Sequence, residues 1–334
     1  MRNLLLILFT LQFFLSACNN PPNFKSSQSL TIKTPSLEEN NHKKNLPKLV
    51  VTTSVLCDLT KQIAANTINL VCLIPPDINP RRYQLKSRDS QEIAEAKLIL
   101  YNGYNLEPAV FNIIKTSKNP APKIAVGERA VPKPKLMIAE GNKKINNPYV
   151  WHNPKNAIAM VNVISNSLKQ ISPENANLYA SNTKKVQTEI TKLDKWIQAR
   201  VASIPSSQRK LITNHPEIGY YPQKYGIEYK PIFVSISNNE NASLSRLEPL
   251  ISKIQKSRVP AIFVNNTASP KLVKTIAKEA DVRIAGRPLF AANLGMPGSE
   301  SDTYQKMMVA NTRTIVEGLG GTYLIFQPLS RSQK

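Results

Sequence analysis

The sequence predicts an α/β protein of two lobes, each a mainly parallel sheet with flanking helices, joined by a long rigid backbone helix. Three observations predict it. Short β-type runs alternate with helical segments from Lys48 onward. The same alternation starts again near Leu211, after a long stretch of purely helical periodicity. The length of 334 residues suits two domains of roughly 100 to 200 residues each.

The first half supplies the strands and helices of one lobe. Ser54 is expected to cap a helix that carries Leu56, Leu59 and Ile63. A loop rich in Pro and Arg precedes a short helix through Ile93 and Ala96. The expected strands are residues 49–52, 68–74 and 98–101. Strands that alternate with helices indicate a parallel sheet with helical crossovers.

A single long helix is expected between the lobes. Ser172 and Pro173 are typical of a cap and a first helical residue. Apolar residues then recur every 3.6 residues as far as Ile204, and about 30 residues at 1.5 Å each span about 45 Å. A coiled coil is the alternative, but one uninterrupted stretch carrying Trp196 favours a helix within a globular protein. The lobes are therefore expected at 48–171 and 205–334, with the connecting helix at 172–204.

The second half repeats the alternation. Strands are expected at residues 211–213, 232–235 and 261–264. Helices are expected up to Tyr225 and over residues 244–256, 272–280 and 303–317.

The first 17 residues have the features of an export signal. Arg2 precedes twelve almost entirely apolar residues, 4–15, which are too few to span a bilayer that needs about 20. The sequence Leu15-Ser16-Ala17-Cys18 resembles a bacterial lipobox, which implies cleavage before Cys18 and lipid attachment to it. An ordinary signal peptide is the alternative. Residues 18–47 are polar and predict a disordered tether, in which His42 is a solvated residue.

The net charge of +22 first suggests a protein that binds nucleic acid. An exported lipoprotein argues against that partner, so we expect no nucleic acid and a basic surface facing the membrane or wall. Localisation is expected in the bacterial cell envelope, facing the periplasm or the exterior. No GxGxxG, phosphate-loop or GxSxG motif occurs, and although Glu217, His215 and Tyr149 could be drawn as a catalytic set, we do not expect an enzyme.

Three cysteines are present, and lipidation of Cys18 leaves Cys57 and Cys72. An exported protein permits a disulfide between them. The alternative is that both are small buried core residues.

Eight segments resemble, in order, the cluster A-I substrate-binding proteins of metal-cation ABC importers, the zinc and manganese receptors related to adhesin lipoproteins. They are residues 50–64, 79–84, 101–107, 147–156, 213–228, 261–266, 289–295 and 303–312. The resemblance covers residues 48–326. It implies a ligand held in a cleft between two lobes and delivered to an ABC permease and its ATPase, with the receptor working as a monomer.

The resemblance also locates the family's four metal-binding positions. The first-loop His falls on Arg81, beside Pro80 and Tyr83, and the second-loop His falls on Tyr149. The third ligand falls on His215 and the fourth, an Asp, on Ala292. Arg offers no lone pair, Ala offers no ligand atom, and a neutral phenol is a poor ligand for Zn²⁺ or Mn²⁺. We therefore expect the inherited site not to hold a divalent cation tightly.

Three alternatives remain for the cleft. A rebuilt metal site could use His152, His215 and Glu217. An anion or polar organic solute could meet donors from Arg81, Arg82, Tyr83, Tyr149, Asn214 and His215. An adhesin-like surface lipoprotein would need no ligand at all. No resident cofactor is expected, and zinc or manganese would enter only as the transported ligand.

Overall fold

The computed structural model describes residues 46–139, 143–214, 216–231, 244–266 and 270–328, all of them within one compact unit. Several expectations fall outside these ranges: the signal peptide, Cys18, almost all of the tether with His42, the ligand position His215, and the strand at residues 232–235.

The first sheet has four parallel strands in the order β2-β1-β3-β4. They are β1 (Lys48–Val51), β2 (Asn69–Cys72), β3 (Leu98–Tyr101) and β4 (Lys123–Ala125). Val50 of the central strand pairs with Val71 on one side and Ile99 on the other. Leu49, Val50 and Val51 are completely buried, as expected for a parallel strand with helices on both faces.

Helices α1 (Ser54–Ala64), α2 (Ser87–Glu95) and α3 (Pro108–Thr116) connect these strands, and α4 (Val126–Ala130) follows β4. The expected cap of α1 was wrong by one residue. The Thr53 side chain accepts the hydrogen bond from the Leu56 N–H, at 3.4 Å. The Ser54 hydroxyl instead accepts from the Leu294 N–H, at 3.0 Å, and so links the two halves of the chain.

A small antiparallel hairpin follows the first sheet and was not expected. It comprises β5 (Leu136–Ile138) and β6 (Lys144–Asn146). Strands of three residues are too short to show a clear alternation in sequence. Helix α5 (Pro154–Ile171) comes next and is capped by the Asn153 side chain, which accepts from the Lys155 N–H.

The long helix α6 (Ala176–Ala202) has 27 residues and spans about 40 Å. It is shorter than expected because Pro173–Asn175 forms a separate 3₁₀ turn. Its buried face carries Tyr179, Val186, Ile190, Leu193, Ile197 and Val201. The helix packs on α1 and α5 from the first half and on the last helix of the chain, so it is shared by both halves.

The second half contains two short parallel pairs. Strand β7 (Lys210–Thr213) pairs with β8 (Glu228–Pro231), and β9 (Ala261–Ile262) pairs with β10 (Arg283–Ile284). A bridge between Thr213 and Phe263 joins the pairs. The helices are α7 (Tyr220–Lys224), α8 (Leu244–Ser257), α9 (Pro270–Glu279) and α10 (Tyr304–Gly318).

Cys57 in α1 and Cys72 at the end of β2 form a disulfide, with Cα atoms 5.9 Å apart, a normal separation for this bond. The expectation that both residues are buried was wrong. Cys57 is half-buried and Cys72 is exposed, because β2 is an edge strand of the sheet.

Candidate ligand cleft

Arg81 lies on the wall of a cavity whose lining residues all belong to the first half of the chain. It belongs to a 3₁₀ turn, Pro80–Arg82, that begins where the Asn79 side chain accepts from the Arg81 N–H, at 3.0 Å. The Arg81 Nε–H donates to the Tyr149 hydroxyl at 3.1 Å, and its guanidinium carbon lies 5.8 Å from the centre of the Tyr149 ring. Arg81 and Tyr149, both expected in the cleft, therefore bind each other.

Tyr149 is completely buried at the end of the hairpin segment. The Asn147 side chain accepts from its N–H, and its ring meets that of Trp151 edge-on at 5.5 Å. Burial raises the pKa of Tyr149 well above its ordinary value, and the Glu217 carboxylate adds to this while Arg81 opposes it. Tyr149 is therefore a neutral phenol at neutral pH.

The second half contributes polar side chains where its parallel strands end. Glu217 lies in the turn Pro216–Gly219, and its carboxylate accepts from the Asn265 amide at 2.9 Å. The Asn265 N–H donates to the Asn214 side chain, also at 2.9 Å. The carboxyl ends of parallel strands are the usual place for ligands in α/β sheets.

The sequence analysis missed Asn265, Asn266 and Asn293. The Asn266 amide donates to the Asn293 side chain at 3.1 Å. The signal that could have found the first two is their position directly after the apolar run 261–264.

His152 does not line the cavity, as a metal ligand would have to. It is completely buried, and its Nε2 lies 2.7 Å from the Ala291 carbonyl oxygen. Because a carbonyl only accepts, Nε2 carries the hydrogen. Its hydrogen-bond partner is therefore the Ala291 backbone and not a ligand. Burial lowers the pKa of His152 to about 4.

Ala292, where the sequence placed the fourth ligand position, follows Ala291 directly and is buried. Tyr83 was expected in the cleft but lies elsewhere. Its hydroxyl donates to Asp89 at 2.9 Å, and its ring packs with the apolar residues Val50 and Ile99. Burial and the Asp89 carboxylate raise the pKa of Tyr83 to about 12. Arg82 is exposed.

A cavity of about 730 Å³ lies beside Arg81. Its lining includes Tyr101, Tyr104, Glu107, Phe111 and Lys144. Glu107 is almost completely buried; one carboxyl oxygen accepts from the Thr52 hydroxyl and the Asn102 N–H, at 2.8 and 2.6 Å. Burial raises the pKa of Glu107 to about 7. Among the described residues, its second oxygen and the Arg81 Nη2 atom have no partner.

Within the described ranges, no three His, Cys, Asp or Glu side chains are grouped as a metal site would require. Nor does any helix in those ranges have the length and apolar character to cross a membrane.

Two halves with parallel sheets, packed on one shared long helix and meeting at polar strand ends, define a substrate-binding protein. The chain belongs to the family described as zinc-uptake complex component A, periplasmic, whose model matches residues 49–318.

Known relatives agree with this assignment. The manganese ABC transporter substrate-binding lipoprotein PsaA of Streptococcus mitis is 28% identical over 280 residues, which cover 81% of this chain and 89% of the relative. The manganese-binding lipoprotein MntA of Bacillus subtilis is 27% identical with the same coverage. The structure of the periplasmic zinc binding protein TroA from Treponema pallidum matches with a TM-score of 0.74 and 27% identity, over 82% of this chain and 99% of that one.

This protein is therefore the extracytoplasmic solute-binding component of an ABC importer of the metal-ion family. It is lipid-anchored in the bacterial cell envelope and faces outward. Its family consists of substrate-binding transport proteins and not of enzymes, and a permease with its ATPase are the partners of such a receptor.

Proposed function

We propose that this importer receptor does not capture a bare divalent cation on its own side chains. The observation that carries the proposal is the contact of 3.1 Å between Arg81 and Tyr149, at two positions where the family places metal ligands. Ala292, at the fourth position, supplies no ligand atom. Glu217 and Tyr149 have no catalytic role in this proposal.

Electrostatics supports the proposal. Two unit charges 4 Å apart interact by about 4 kcal/mol at an effective dielectric constant of about 20, and a dication doubles that figure. The guanidinium of Arg81 would therefore repel Zn²⁺ or Mn²⁺ by several kcal/mol. The net charge of +22 also disfavours the approach of free cations.

Restoration of the family's ligands tests the proposal. The variant Arg81→His/Tyr149→His/Ala292→Asp is expected to bind Zn²⁺ and Mn²⁺ at least about a hundredfold more tightly than the wild type in calorimetry, because it gains ligands and loses a repelling charge. Arg283→His, at an exposed position in the second half, is the matched control and should leave affinity unchanged. Wild-type binding that equals that of the triple variant would overturn the proposal.

We also propose that Cys18 carries the lipid. The lipobox resemblance of residues 15–18 supports this. Cys18→Ser should move the protein from the membrane fraction to the soluble fraction, whereas Cys57→Ser should leave it on the membrane. Retention of the Cys18 variant on membranes would refute this anchor.

We further propose that the receptor works as a monomer, with lobes at 48–171 and 205–334 joined by the segment 172–204 that contains α6. The shared packing of α6 supports this division. Light scattering of the chain without its anchor should give the mass of one copy, and a dimer at micromolar concentration would contradict it.

A further inference from the structure

The cavity beside Arg81 has the size of a small-molecule site. Its volume of about 730 Å³ compares with about 300 to 1,000 Å³ for typical ligand pockets, far more than a bare ion needs. Aromatic rings form part of its wall, and the rings of Tyr101 and Phe111 lie 5.7 Å apart. Apolar walls with a few polar groups are typical of sites for organic ligands.

Two polar atoms on the lining of this cavity have no partner among the described residues. They are Nη2 of Arg81 and the second carboxyl oxygen of Glu107, and both atoms are buried. Buried polar atoms in native proteins almost always have a hydrogen-bond partner. The Arg81 and Glu107 side chains both line the same cavity.

The chemistry of these atoms favours carboxylate oxygens. A guanidinium N–H donates strongly to a carboxylate. Glu107 can donate as well, because its pKa of about 7 leaves the protonated form well populated at neutral pH and its other oxygen already accepts two hydrogen bonds. Arg81 and Lys144 bring two positive charges to the lining and Glu128 one negative charge, so the lining is positive overall while Glu107 is protonated.

We infer that the cargo is a metal ion already enclosed in a small carboxylate chelator, with the chelator in this cavity and its outer carboxylate oxygens bound by Arg81. The inference rests on the proposed function, because a receptor without its own metal ligands needs a chelator to supply them. A neutral or anionic complex also removes the repulsion between Arg81 and the metal. The inference thus reconciles a metal-importer fold with an arginine at a ligand position.

Calorimetry with three probes tests the inference: zinc chloride, citrate, and the one-to-one zinc citrate complex. The chain without its lipid anchor is expected to bind zinc citrate at least tenfold more tightly than either component alone. Arg81→Gln should weaken that binding at least tenfold, while the exposed control Arg283→Gln leaves it unchanged. Glu107→Gln keeps a donor at the same place and should retain binding, with circular dichroism to verify that each variant folds.

Each contrary result has its own meaning. Tight binding of zinc chloride alone by the wild type would overturn the proposed function and this inference with it. Failure of zinc citrate to bind would overturn the chelate inference and leave the loss of the metal ligands standing. Unchanged binding in Arg81→Gln would overturn the assigned role of the guanidinium.

Discussion

The Nε2 atom of His152 lies 2.7 Å from the carbonyl oxygen of Ala291, and this bond ties the two halves of the chain together beside the cleft. The hydroxyl of Tyr304 donates to the Trp151 carbonyl at 2.9 Å in the same region. The backbone at Ala291 is therefore anchored to the segment that carries His152.

His152 should make stability depend on pH. Its pKa is about 4 in the folded protein and near 6.5 when unfolded, so the unfolded chain binds the proton more readily. The contribution of His152 is complete above pH 6.5 and falls by about 3 kcal/mol as the pH drops to 4. His152→Gln keeps a donor for Ala291 without a titrating ring. In urea unfolding, the stability difference between wild type and this variant should shrink by that amount from pH 7 to 4; a constant difference would contradict the prediction.

Glu107 should act in the opposite direction. Burial raises the pKa of Glu107 to about 7 from an ordinary 4.5. Its contribution to the free energy of unfolding is therefore complete below pH 4.5 and is lost as the pH rises through 7. Glu107→Gln should therefore gain about 3 kcal/mol relative to the wild type between pH 4.5 and 8. Glu95 is exposed and Lys48 lowers its pKa. The stability of Glu95→Gln relative to the wild type should therefore change only slightly with pH, and with the opposite sign. Parallel pH profiles for Glu107→Gln and wild type would refute this assignment.

The disulfide between Cys57 and Cys72 should stabilise the first half. The two cysteines are 15 residues apart. Closing a loop of that length lowers the entropy of the unfolded chain and so raises its free energy by about 3 kcal/mol. Addition of reductant should lower the free energy of unfolding of the wild type by about that amount. The variant Cys57→Ala/Cys72→Ala should not respond to reductant, and an equal response in both proteins would contradict the prediction.

Gly318 ends the last helix against an aromatic ring. A Cβ atom there would lie 2.6 Å from two carbons of the Phe263 ring, too close for any real contact. Gly318→Ala should cost about 1 to 3 kcal/mol of stability, because the ring must move within a packed core. The matched control is Gly286→Ala, since nothing lies within 4 Å of its added Cβ. Thermal unfolding that gave equal midpoints for the two variants would show that Phe263 moves freely.

Much of the fold followed from local patterns. The strand at residues 98–101 coincides with its expected bounds, and the helix through Leu56, Leu59 and Ile63 lies where its periodicity predicted it. The hairpin of β5 and β6 could not be predicted, because three-residue strands are stabilised by tertiary contacts. One such contact is the bond of 2.8 Å from the Lys135 N–H to the Tyr220 hydroxyl.

Prediction of the cleft was less complete. Arg81 and Tyr149 were named from their motifs, but their mutual contact was not. Tyr83 was placed in the cleft, whereas the structure packs it against Asp89 and the core of the first sheet. A motif gives the order of residues along a loop, but the direction of a side chain depends on what packs around it.

The sequence by itself determined the α/β class and the long helix, because periodicity suffices for these. The tertiary structure decided that Arg81 contacts Tyr149, which histidine nitrogen faces Ala291, and which carboxyl lines the cavity. The physical reason is that distance and burial arise between residues far apart in sequence. Thr52 and Glu107, separated by 55 positions, share a buried hydrogen bond that neither local segment reveals.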